Sequence, residues 1–495
     1  MVVKVTVFFL LCATLASSNN LRKDRAYWKT LGENELKEAL NLQWNLDVAK
    51  NVIMFVGDGL GPNTITASRI QKGGEGHRLS FEEFPHMGLM KVYSADLMVP
   101  DAASTGTAMV SGYKVNSRTI GVDANVVHND CEASLNPNNR VESLAALALR
   151  DGRSAGFVTN MRVTHSTLSP LYAHTRNANW ECDASVPQGS PCKDIARQMI
   201  EDWPGRDLNV ILGGGRQGII TGAQGTEEDP LSRWGCSRVD GRDLFDSYRI
   251  DKTRRGLLHS IVSNKDDLQQ AAEDTDYLFG VFRNENLPYE FQRPENTPSL
   301  VDMTEAALKV LQRNKKGYFL LVEGGNIDMG HHRGRARTAI DEAVYFDEAV
   351  KMAINMTDER DTLIIVSANM MHSLSINGHP ARGSDLFGTV GPSRFDRLNY
   401  TVLSYATGGP GSKQFEIKTE NNEQTVVRRD PTKENTTSFF YEQVAGITLE
   451  ENYHGGGDVT VYAKGPYAHL FHNVHEQHYL FYAISYAAQL GEYAT

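Results

Sequence analysis

Two stretches carry most of the side chains that could hold a metal. Asp328-Met-Gly-His331-His332 begins five residues after Glu323. Asp328 and His332 are four apart, so on a helix they share one face. With the distant His454 they form an Asp/His/His set of the kind that binds zinc and leaves one position open. The same spacing also fits a helix start carrying polar surface residues. Asp58 lies in Gly57-Asp58-Gly59, directly after an apolar run. A carboxylate there suits a hard cation, and it is equally a common turn residue. A third stretch, Val99-Pro-Asp101-Ala102-Ala-Ser104-Thr105-Gly-Thr107, is small and polar and runs into Ala108-Met109-Val110. It predicts a helix start whose free N–H groups favour an anion; a simple capped helix has the same pattern.

Positioning these groups takes strands followed closely by turns. Val52–Val56, Ala155–Thr159, Asn209–Leu212, Tyr318–Val322 and Thr362–Val366 are short apolar runs, as expected of parallel strands covered on both faces. Ala336, Ala339, Ala343, Phe346 and Val350 recur at spacings of three and four, which marks one face of a helix. Strands alternating with helices predict an α/β sheet. Gly57-Asp58-Gly59, Glu323-Gly324-Gly325 and Asn369 each follow a strand run, where open α/β sheets bind ligands. Residues 378–446 are richer in Gly, Pro, Asn and Thr and read as an insertion.

The chain has 495 residues and a formal net charge of −11. That balance argues against nucleic acid as the main partner. Lys4, the apolar run from Val5 to Leu15 and the small residues Ala16 to Ser18 read as a signal peptide over residues 1–18; a buried N-terminal strand is the alternative. Residues 19–495 then form the mature protein. Cys12 falls in the signal, and Cys131, Cys182, Cys192 and Cys236 remain, enough for two disulfides in three pairings. Sequons at Asn355, Asn399 and Asn435 also point to export. No later stretch is long and apolar enough for a transmembrane segment. The sequence ends without the apolar tail of a lipid-anchor signal, so the expectation is a soluble, secreted, extracellular protein.

Taken together, the motifs resemble the alkaline phosphatase family. Phe55-Val-Gly-Asp58-Gly-Leu-Gly is similar to that family's opening strand and metal aspartate. Val99-Pro-Asp101-Ala102-Ala-Ser-Thr-Gly-Thr107 resembles its nucleophile segment. Thr164-His165-Ser-Thr167 with Tyr172-Ala-His174-Thr175, Glu323-Gly-Gly-Asn-Ile-Asp328-Met-Gly-His-His332 and Tyr453-His454-Gly-Gly-Gly-Asp458 resemble the remaining blocks. The match runs from about Asp47 to Tyr493. It implies a three-layer α/β/α sandwich around a large, mostly parallel sheet, with residues 378–446 as a crown-like insertion. It also implies two zinc ions, one magnesium, a serine that becomes phosphorylated and an arginine that clamps the phosphate.

Carried over position by position, the resemblance assigns Asp58, Thr167 and Glu323 to magnesium, with His165 as their neighbour. It assigns Asp328, His332 and His454 to one zinc, and His372 also matches. The rest departs. Ala102 stands at the serine position and Ala178 at the arginine position. Asn369 and Met370 replace an aspartate and a histidine that hold the second zinc. Met329 replaces a histidine near the first, and Arg283 falls where vertebrate members have a calcium-site glutamate. Cys131 and Cys192 match the family's disulfide, leaving Cys182 and Cys236 as a second pair.

Alanine has no oxygen to phosphorylate. An amide and a thioether are poor partners for a hard site. Ser104 and Thr105 lie further round the helix and do not point where position 102 points. The expectation is therefore a pseudoenzyme with magnesium, one zinc and no second zinc. It would bind a phosphate-like anion, or pair as a homodimer or as a heterodimer with an active relative. The alternatives are a hydrolase in which one zinc directs water at the ester, and a structural glycoprotein with empty sites.

Overall fold

Unbroken apolar runs become strands buried along nearly their whole length. In the computed structural model, which describes residues 24–128, 131–233 and 235–494, all five runs are strands. They belong to one sheet whose strands are β1 (Asn51–Gly57), β2 (His86–Lys91), β3 (Ser154–Arg162), β4 (Val210–Gly214), β5 (His259–Val262), β6 (Tyr277–Val281), β7 (Tyr318–Gly324), β8 (Thr362–Ala368), β9 (Val459–Lys464) and β10 (Asn473–Glu476). Every residue of β7 and β8 is buried, which requires cover on both faces. The spatial order is β10-β2-β9-β8-β1-β7-β3-β4-β6-β5. β9 is antiparallel to both its neighbours, while the block from β8 to β5 is parallel throughout. This is an α/β fold around a large, mostly parallel sheet.

The chain divides into two units, residues 1–43 and 44–495. In the first, helix α1 (Arg25–Leu40) is capped by Asp24, which accepts the Tyr27 N–H at 3.0 Å, and it has no buried residue. The signal read over residues 1–18 lies outside the described residues.

In the second unit the helices that matter here are α2 (Pro62–Gly73), α3 (Ala102–Ser111), α4 (Leu144–Arg150), α5 (Asn326–His332), α6 (Ala336–Asn355) and α7 (Tyr479–Ala487). The face predicted for α6 is buried at all five positions. α3 is buried from end to end. Asp101 caps it, accepting the Ser104 N–H at 3.0 Å, and Gly112 ends it in the left-handed region at φ 83°.

Residues 378–446, with short strands just before and after them, build small sheets apart from the main one. Leu403–Gly408 pairs with Ser375–Ile376 and with Ala445–Thr448, and Phe415–Glu420 forms a hairpin with Glu423–Arg428. A separate core of Leu374, Leu386, Phe387, Val402, Leu403 and Tyr405 lies beneath them, closed from the α6 side by Ala336 and Ile340. Disulfides join Cys131 to Cys192 and Cys182 to Cys236.

Candidate metal centre

Four adjacent parallel strands deliver the site. In the order β8-β1-β7-β3, their carboxyl ends carry Asn369, Asp58, Glu323 and the loop with His165 and Thr167. That is where a parallel sheet presents ligands. α5 adds Asp328 and His332. A two-residue antiparallel pairing of His372 with His454 brings the last two histidines in.

Asp328, His332, His372 and His454 form one group whose candidate donor atoms all lie within 4.8 Å of one another; Asp58, His165 and Glu323 form a second. Hydrogen-bond partners decide what each histidine can do. A backbone carbonyl only accepts, so a ring nitrogen facing one must carry the proton. His332 Nδ1 faces the Asn452 carbonyl at 2.8 Å, and His454 Nδ1 faces the Pro100 carbonyl at 3.0 Å. In the neutral rings both Nε2 atoms are then bare lone pairs. They sit 3.1 Å apart, at 3.2 and 3.5 Å from the Asp328 carboxylate. Two lone pairs and a carboxylate converging in this way fit a cation, and nitrogen and oxygen donors of this kind suit zinc.

His372 differs. The Asn452 side-chain amide, which also donates to the His331 carbonyl at 2.9 Å, lies 3.1 Å from His372 Nδ1. That puts the His372 proton on Nε2, which donates to Asp328 Oδ1 at 2.6 Å. His372 holds Asp328 rather than offering a lone pair. His331, next to the candidate ligand His332, is buried and engaged elsewhere, with Thr64 and Tyr405.

The second group is rich in oxygen. Asp58 and Glu323 are fully buried. Thr167 donates to Asp58 Oδ2 at 3.1 Å, and Thr159 donates to Glu323 Oε2 at 2.6 Å. Burial, reinforced by the charges of Asp328 and Glu323, lifts the Asp58 carboxyl to about 7. Burial disfavours the charge on His165, yet the Glu323 carboxylate at 2.9 Å outweighs it and holds the imidazolium up to about 9. Carboxylates crowded into a dry pocket call for a cation, and this donor set fits magnesium.

The residues at the second-zinc position do not fit an ion. Asn369 Oδ1 accepts the N–H groups of Gly59 at 3.2 Å and Met370 at 2.8 Å. Those two donors fix the amide orientation, so its NH2 must face the site. It donates to Asp58 Oδ1 at 2.6 Å and lies 3.3 Å from Thr167 Oγ1. The amide nitrogen thus occupies the side of Asp58 that a second cation would need. Met370 is wholly buried.

Ala102 is the first residue of α3, beside the Asp101 cap. The neighbouring hydroxyls are engaged. Ser104 Oγ donates to Asp101 Oδ1 at 2.6 Å, and Thr105 Oγ1 to the Asp101 carbonyl at 2.8 Å. The Ala178 N–H donates to the Arg118 carbonyl at 2.9 Å. Arg176, two residues earlier, lies over the Trp180 ring at 4.1 Å. Arg283 donates to the Glu228 carbonyl at 3.1 Å and to the Thr297 hydroxyl.

Three supports went unread in the sequence: Thr159, Asn452 and the Pro100 carbonyl. Asn452, two residues before His454, had the nearest thing to a signal. Asn160 is a further support. Its side-chain oxygen accepts the N–H groups of Gly325 at 2.8 Å and Asn326 at 3.2 Å, which shapes the turn from β7 into α5. Glu342 lies beside it at 3.5 Å, and burial raises its carboxyl to about 8. The folded protein therefore keeps that proton long after an unfolded glutamate has lost it near pH 4.5. The stability from this group is complete below pH 4.5 and is lost as pH rises through 8. Glu342→Gln should unfold like the wild type near pH 4.5 and be more stable by on the order of 3 kcal/mol at pH 9.5. Urea titrations at the two pH values check this.

Comparison with known proteins gives the family and the fold. The family model described as "Alkaline phosphatase" matches residues 49–490. The chain is 39% identical over 482 residues to the alkaline phosphatase, tissue-nonspecific isozyme, of Gallus gallus, covering 95% of this chain and 90% of the relative. It is 38% identical over 506 residues to the Homo sapiens isozyme, covering 98% and 94%. It is 38% identical over 456 residues to a membrane-bound alkaline phosphatase of Bombyx mori, covering 90% and 80%. Among solved structures, the alkaline phosphatase of the Antarctic bacterium TAB5 aligns with a TM-score of 0.61 at 20% identity, over 90% of this chain and all of that one. The Thermus thermophilus alkaline phosphatase gives 0.62 at 19% identity, over 91% and 93%. With its motifs in order, their side chains gathered at the carboxyl ends of the central strands and relatives matched over nearly the whole length, the chain belongs to the alkaline phosphatase family.

Proposed function

We propose that this protein is an exported pseudoenzyme of the alkaline phosphatase family, which holds magnesium and one zinc but does not pass a phosphoryl group through a covalent intermediate. The observation that carries this reading is Asn369: its amide nitrogen is turned onto Asp58 by two backbone donors. The second zinc then has no place, Ala102 offers no nucleophile, and Ala178 offers no bidentate clamp. The zinc supplied by Asp328, His332 and His454 would act as a Lewis acid and hold an anion at its open position. Thr167 and Glu323 would keep magnesium beside Asp58. His372 and Asn452 keep the zinc donors aimed.

Export rests on the leader read over residues 1–18 and on three sequons whose asparagines, Asn355, Asn399 and Asn435, are all outside the buried core. Among the described residues no helix is long and apolar enough to cross a membrane. The protein is proposed to work as a homodimer or beside an active relative.

The competing reading, a one-zinc hydrolase with water as the attacking group, is favoured by the three-donor set, which leaves a coordination position open. A phosphomonoester assay at alkaline pH on metal-counted protein decides between them. The expected result is one zinc and one magnesium per chain with turnover below about 10⁻² s⁻¹, against the 1–10³ s⁻¹ usual for enzymes. Turnover of tens per second would sink the pseudoenzyme reading.

A further inference from the structure

At the far end of α3 from Ala102, roughly 14 Å along the helix axis, a cleft of about 680 Å³ opens between α3, α4, α7 and the chain end. We infer that this cleft binds a short neutral saccharide.

One wall is aromatic: Tyr113, Phe481, Tyr482 and Tyr493. Tyr113 is half exposed, at 50%, and needs no ligand to fold. Tyr482 is fixed, its hydroxyl donating to the Gly112 carbonyl at 3.2 Å, and its ring packs edge-on to Phe481 with centroids 5.4 Å apart. These are flat apolar faces, with hydroxyls at Tyr113 and Tyr493, suited to a ligand that is apolar on one side and wet on the other.

The opposite side supplies unspent hydrogen-bonding groups. Arg140 uses its Nε on the Ser134 carbonyl at 3.1 Å, and among the described residues its two terminal nitrogens have no hydrogen-bond partner; neither does the Asn138 side chain. Ser485, also in the lining, is 1% exposed, and its Oγ is buried without a partner among the described residues. Leaving a buried hydroxyl unpaired is costly, so such a group beside a cavity calls for a ligand or water.

Charge narrows the class. Asp123, Glu142 and Glu492 stand against Arg140 and Arg150 around the cleft, so no positive excess exists to draw a phosphorylated or sulfated ligand. The polar side is too rich in charged groups for a lipid tail. A sugar ring has an apolar C–H face for the tyrosines and adjacent hydroxyls that both donate and accept. Those hydroxyls match planar guanidinium, amide and carboxylate groups.

Isothermal titration of the full-length protein with mannopentaose and with chitotetraose tests this and separates an N-glycan source from an amino-sugar polymer. One of the two should bind saturably with Kd about 10⁻⁴ M, as expected when hydroxyls must first shed water. Tyr113→Ala and Asn138→Ala, both at exposed side chains, should each weaken it at least tenfold with unchanged Tm. His454→Ala, at the metal site, should leave it intact. Absence of saturable binding by either sugar overturns the inference, and so does binding that both cleft variants retain at wild-type strength.

Discussion

Ala102→Ser alone should leave the protein without useful phosphomonoesterase activity. The fourfold change Ala102→Ser, Ala178→Arg, Asn369→Asp and Met370→His should raise turnover at least about 10³-fold over that single variant in the presence of zinc. A serine at the start of α3 would have an oxygen, but no second ion to lower its pKa and no arginine to hold the phosphoryl oxygens. Losing one electrostatic contributor typically costs about 10²–10³ in rate, and groups that act as one unit are recovered together or not at all. Asn369→Asp is the informative intermediate. The new carboxylate would keep the Gly59 and Met370 N–H bonds while its other oxygen faced Asp58 Oδ1, 2.6 Å from where the amide nitrogen now sits. Two carboxylate oxygens that close need a cation or a shared proton between them, and the cation binds more strongly once both are ionised. This variant should therefore be destabilised in chelator and rescued by zinc. Full activity from Ala102→Ser alone would show that positions 178, 369 and 370 had been misread.

Stripping metal from the wild-type protein should lower its Tm by at least about 5 °C. A ligand at a thousand times its Kd stabilises by about 4 kcal/mol, and in a protein of this size each kcal/mol moves Tm by a degree or two. His454→Ala should bring the zinc count down by one per chain and leave magnesium in place, because Asp58, Thr167 and Glu323 share no donor with it. If purified wild-type protein holds no metal and its melting is indifferent to chelator, both metal-bearing readings fail and the structural glycoprotein remains.

The frame of the molecule was legible because buried parallel strands are written as unbroken apolar runs. β1, β3, β4, β7 and β8 could be read that way. β2 could not, since its residues alternate between buried and exposed, nor could β5, of which only Val262 is buried. The site was legible as a set of residue types. Which nitrogen of which histidine is bare was not, because that depends on carbonyls at Pro100 and Asn452 that no spacing rule connects to His454 and His332. Asn369 is the sharpest case. Its type announced a lost ligand, but only the two backbone donors reveal that the amide stands in for a charge.

That substitution changes what the cell must supply. An ion arrives from solution and can be withheld; an amide is delivered by translation, already attached. On the proposed reading, one corner of the pocket is filled by a hydrogen-bond donor as soon as the chain folds, at any zinc concentration. Maturation in a zinc-starved secretory pathway would then be limited by fewer metal-loading events than in relatives that need a pair of zinc ions.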